Sequence, residues 1–117
     1  MKKTILTVAM IIGMIATVFG QDIFDRDAMY LMVNNDEVFS EIYLIAQNKY
    51  PENYDLFYDT VNRQSKAWRN LSKETTKKSF NEVLMEKAMS LYYDAELNTT
   101  DYQKALKKYK ELNRKNK

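Results

Sequence analysis

The chain is 117 residues long, with 18 basic and 16 acidic side chains, nine tyrosines, one tryptophan, and neither cysteine nor histidine. That composition excludes disulfides, thiol nucleophiles, histidine general bases, and the usual zinc, copper and haem ligand sets. With two glycines in all, Gly13 and Gly20, a glycine-rich phosphate loop beyond residue 20 is excluded too.

Residues 1–20 have the layout of a secretory signal peptide. Lys2 and Lys3 form a basic start, an apolar run extends from Ile5 to Phe19, and Gly20 closes a cleavage site before Gln21. A bilayer span needs about 20 apolar residues; the run stops short of that, at the polar Gln21-Asp22. The reading is therefore a cleaved signal, a single helical domain over 21–117, and no stable membrane span after cleavage. Without Lys2 and Lys3 the remaining charge sums to zero, but unevenly. Residues 21–60 hold nine acids against Arg26 and Lys49, and residues 61–117 hold fourteen bases against seven acids. Opposite halves of this kind attract within one fold or between copies, so self-association through them is one expectation.

Beyond the signal, the turn residues that hairpins demand every 8–12 positions are missing, as are alternating apolar-polar runs. Helices remain. The first is predicted from Asp22, with Asp25 in capping-box position, through Ala28, Met29, Leu31, Met32 and Val33 to a turn at Asn34-Asn35. The second runs from Asp36 to Lys49 and is either separate from the first or continuous with it. Val38, Phe39, Ile42, Leu44, Ile45 and Ala46 cover more than one of its faces, which makes it the most buried. Pro51 ends it by forcing Tyr50 out of the helical region.

Asn53 caps a third helix whose seam is Tyr54, Phe57, Val61, Gln64, Trp68 and Leu71, spaced by threes and fours. On this seam Trp68 is expected to be a packing residue. The stretch 72–79 is polar throughout and reads as a loop. A fourth helix sets Phe80, Val83, Leu84, Ala88, Leu91 and Ala95 on one side and breaks at Asn98-Thr99-Thr100. Thr100 and Gln103 make a capping box for the last helix, striped by Tyr102, Ala105, Leu106, Tyr109 and Leu112, with Lys104, Lys107, Lys108 and Lys110 opposite. Short connections predict an all-α fold, a small antiparallel bundle of four or five helices.

The chemistry left is that of carboxylates. Glu37 and Glu41, Asp55 and Asp59, and Glu82 and Glu86 each share a helix face. An acid-base pair for glycoside hydrolysis also needs a cleft and one raised pKa, and solvated faces are the expected reading. Asp25-Arg26-Asp27 and Asn34-Asn35-Asp36-Glu37 lack the spacing and the glycine of a calcium loop. No catalytic, cofactor-binding or metal-ligating residue is nominated, and no cofactor is expected. The tyrosines suit a core rim, a protein interface or a sugar-stacking surface. Asn70-Leu71-Ser72 and Asn98-Thr99-Thr100 match the glycosylation acceptor pattern, which matters only in a eukaryotic secretory route.

Leu91-Tyr92-Tyr93 followed by Asp101, Tyr102, Ala105 and Tyr109 resembles one tetratricopeptide helix pair. The likeness covers about 20 residues, and no 34-residue repeat accompanies it. Asp94-Ala95-Glu96-Leu97-Asn98 and Gln64-Ser65-Lys66-Ala67-Trp68 are similar to pieces of exported lysozyme-inhibitor-like proteins, in the wrong order and without that family's cysteines. Neither resemblance assigns a family. The residues point to an exported, secreted or periplasmic, non-enzymatic binding or interaction protein of a bacterial envelope. Its expected partner is another envelope protein and not nucleic acid. The alternatives are a small carboxylate-dependent hydrolase of cell-wall sugar and a structural or stress-related periplasmic protein.

Overall fold

The computed structural model describes residues 23–116; the signal-peptide reading of 1–20 lies outside them. The described chain is mostly helical: α1 (Arg26–Asn34), α2 (Asp36–Lys49), α3 (Tyr54–Glu74), α4 (Glu82–Leu91), strands β1 (Tyr93–Asp94) and β2 (Thr99–Thr100), and α5 (Tyr102–Lys115). Among the described residues no helix is long and apolar enough to cross a membrane.

Each of these five described helices begins on a side-chain cap, which satisfies an amide that has no partner inside the helix. Asp25 accepts from Ala28 N, Asn35 from Val38 N, Asn53 from Leu56 N, Asn81 from Leu84 N and Asp101 from Lys104 N. The starts of α1 and α5 differ from the expectation, while the turn between α1 and α2 falls where it was expected. Asp25, not Asp22, caps α1. Asn35 both closes α1, its amide bonding Leu31 O, and opens α2, so the two helices are separate. Asp101, not Thr100, caps α5, because Thr100 is taken into a strand.

The expected fourth helix is also shorter, and a small antiparallel ladder comes after it, pairing Tyr93 with Thr100 and Asp94 with Thr99. Ala95 therefore lies in a turn and not on a helix face. Asp94 Oδ1 accepts from Glu96 N and Leu97 N, an Asx-type turn that replaces the missing glycines. Asn98 completes it at φ 52°, a left-handed conformation that asparagine tolerates better than most residues. The β-branched Thr99 and Thr100 suit the returning strand.

The core lies among α1, α2 and α3. Phe24, Ala28, Leu31, Phe39, Ile42, Ala46 and Val61 are almost wholly out of water. Aromatic rings meet edge to face at Phe24–Phe39 (5.6 Å), Phe24–Tyr58 (5.3 Å) and Tyr43–Phe57 (4.8 Å). Each such pair adds about 0.5–1.5 kcal/mol beyond area burial. Asn62 fastens the chain ahead of α1 by donating to Ile23 O and accepting from Asp25 N. Farther along α3, Arg69 pairs with Asp27 at 2.9 Å and lies over the Tyr30 ring. Hence α1 runs along α3 in the same sense.

The third-helix seam holds from Phe57 to Leu71, but Tyr54 is 74% exposed and Trp68 is only half-buried. Beyond α3, Tyr109 accepts from Asn81 N, and Asn113 donates to Ser79 O. The end of α5 is thereby joined to the start of α4. At the other end Asp101 N bonds Tyr92 O. So α4 and α5 are antiparallel, while α5 runs with the second half of α3, and the bundle is not antiparallel throughout. Only Ala88 of α4 is fully buried; Val83 and Leu91, expected on its packed side, are exposed. An apolar crevice of about 240 Å³ separates α4 from α3, lined by Trp68, Leu71, Met85 and Met89 with Ser72 and Thr75.

Candidate functional site

A polar residue on an apolar seam must find partners or forfeit its hydration. Gln64 is 2% exposed and finds three. Its Oε1 accepts from Tyr102 N (2.7 Å) and Gln103 N (3.1 Å), and its Nε2 donates to Asp101 Oδ1 (2.8 Å). The first amides of α5 are thus held by α3 across the core. Asp101 also receives Lys49, from the last turn of α2, at 3.7 Å. A fourth link is Tyr102, whose hydroxyl donates to Glu41 Oε2 at 3.2 Å. Burial first, then the Glu41 carboxylate, push the Tyr102 hydroxyl well above its ordinary range.

Through Lys49 and Asp101 this junction borders a cleft of about 520 Å³. The end of α2 contributes Ile45, Asn48 and Lys49. The hairpin contributes Tyr92, Tyr93, Glu96 and Leu97, and α5 contributes Lys104. Thr99 lines it as well, and its Oγ1 is buried without a hydrogen-bond partner. Lys49, Asp101 and Lys104 are shared with a second hollow of about 410 Å³ that runs between α3 and α5 past Tyr50, Arg63, Gln103 and Lys107. Half-buried Tyr92 and exposed Tyr93 present flat apolar rings with polar tips at the mouth.

The carboxylate pairs fall in several places. Asp59 faces the second hollow bound to Arg63 at 3.0 Å, and Asp55 is exposed nearby. Glu41 is held by Tyr102, and Glu82 and Glu86 are exposed on α4. Of the three acids lining the main cleft, two have structural work: Asp94 builds the turn and Asp101 caps α5, while Glu96 is exposed in the turn. In the two stretches weighed as calcium loops, Asp25 and Asn35 cap helices and Asp27 binds Arg69. No three Asp or Glu residues among those described are grouped as a metal ion requires.

Sequence patterns alone did not point to this cleft. Two signals for it were present: Gln64 on an apolar stripe, and the Tyr92-Tyr93 pair just ahead of a helix-breaking Asn-Thr-Thr. Compared with known protein families, curated proteins and solved structures, the chain matches none.

Proposed function

We propose that this chain is an exported binding protein of a bacterial envelope. It performs no chemistry of its own and takes its partner, another envelope protein, at the hairpin-end cleft. The observation that carries this reading is the make-up of the cleft: tyrosines and lysines line its surface, while its aspartates are engaged in capping α5 and building the turn. Tyrosine is enriched in binding surfaces because it offers a large, stiff contact area with a polar tip. An acid-base pair of the glycosidase kind needs two carboxylates facing one substrate; of the three acids in the cleft Asp94 and Asp101 are tied to backbone amides, which leaves Glu96 alone.

The test is a pull-down from the envelope fraction of the source cell, with the wild-type chain and an Ala95→Trp variant that fills the cleft mouth. A species retained by the wild type and lost with Ala95→Trp is expected. Retention that ignores the variant, or no retained species, refutes the cleft. Export is checked separately by mass spectrometry of the native protein, which is expected to begin at or within a few residues of Gln21. An intact Met1 refutes that part.

A further inference from the structure

The cleft does not end at Lys104. Its second hollow shares Lys107 with a shallower one bounded by Lys107, Lys110, Glu111 and Arg114, so one continuous track leads from the tyrosines to the end of α5. At about 1.5 Å of rise per residue, Lys104 to Arg114 extends ~15 Å. Much of the positive charge elsewhere is neutralised within the fold: Lys49 by Asp101, Arg63 by Asp59, Arg69 by Asp27, and both Lys108 and Lys115 by Glu111. Lys104, Lys107 and Lys110 are exposed and make no ion pair among the described residues.

Resting on the cleft reading above, we propose that this track recognises an acidic, extended segment of a partner protein, its apolar side chains seated beside Tyr92 and Tyr93 and its carboxylates facing Lys104, Lys107 and Lys110. An extended chain advances about 3.3 Å per residue, so four or five residues of the partner cover the track from Lys104 to Arg114. A second copy of this chain is the poorer complement. Asp25 caps α1, Asp27 holds Arg69, Asp59 holds Arg63 and Glu41 holds Tyr102, and the exposed Asp55, Glu82 and Glu86 stand on helices and not on an extended segment. A membrane surface is disfavoured because the lysine stretch carries no apolar side chain to enter the acyl region.

The experiment pans a random dodecapeptide display library against the full chain and against a Lys104→Glu, Lys107→Glu, Lys110→Glu variant. Circular dichroism first verifies that the variant is folded, as expected for three exposed sites. Enriched peptides are expected to be acidic with one or two apolar residues, and to bind the triple variant at least about tenfold more weakly. Their affinity is expected to fall as salt rises from 10 mM to 1 M, as the screening length drops from about 30 Å to about 3 Å. Enrichment without acidic bias, equal binding to the triple variant, or no enrichment overturns the proposal. So do peptides that match this chain's own acidic segments, which assign the track to a second copy. Retention on phosphatidylglycerol vesicles without acidic peptides overturns it in favour of a membrane. Neutral peptides that lose binding only with Ala95→Trp leave the cleft standing and remove the lysine track alone.

Discussion

Gln64→Ala removes the acceptor of two amides and a donor to Asp101 in one step. Leaving buried groups unsatisfied costs about 1–3 kcal/mol, and urea unfolding of this variant is expected to register a loss of roughly 2 kcal/mol. An unchanged midpoint would mean that water replaces Gln64. Tyr102 makes a pH-dependent contribution. Burial and Glu41 raise its folded pKa above the unfolded value near 10. The associated stability is therefore complete below pH ~10 and is lost as pH rises toward the folded pKa. Urea midpoints at pH 8 and pH 11 are expected to diverge in the wild type, and Tyr102→Phe is expected to narrow that gap. A gap of equal width in the variant would exclude Tyr102 as a source.

The same side chains that position the cleft also start the helices, so capping substitutions have graded consequences. Asn53→Ala is expected to cost about 1 kcal/mol, the ordinary worth of a cap. Asp101→Ala is expected to cost more, because Asp101 also receives Gln64 and Lys49; equal midpoints would show those two contacts to be idle. Asn53 was legible as a cap because Pro51 marks the break before it, and Phe57, Val61 and Leu71 were legible from their spacing. The hairpin was not. Its turn is made by Asp94 and by Asn98 at positive φ, where a pattern search expects glycine, and Ala95 continues the apolar period of α4 past its true end at Leu91. Nor could the track be read from α5 alone. Lys104, Lys107, Lys108 and Lys110 look equivalent along the chain, and only the fold shows Lys108 held by Glu111 while the other three are open.

Stability is expected to be distributed unevenly, with α4 at the low end. Its side chains are largely half-buried or exposed, and α5 is its main neighbour, whereas α2 and α3 share the aromatic core. Amide exchange tracks such differences in local opening. The amides of α4 are expected to exchange well before those of Phe39 to Ala46 in α2 and Val61 to Leu71 in α3. Uniform protection across the helices would show a single cooperative unit instead. A mostly helical chain was legible from the missing turn residues and the three-four spacing. The shared direction of α1, α3 and α5 depends on long-range bonds such as Asn62 with Ile23 and Gln64 with Tyr102, and one-dimensional periodicity carries no information about these.

The crevice between α3 and α4 places the sole tryptophan of the chain against Met85 and Met89. Trp68 thus acts as a built-in optical reporter for the seating of one helix, since its half-buried indole packs on the edge of the core and lines the crevice that faces α4. During a urea titration its emission is expected to shift to the red ahead of the loss of ellipticity at 222 nm, and Met89→Ala is expected to move the optical transition more than the ellipticity. Coincident curves in both proteins would mean that α4 departs only when everything else does.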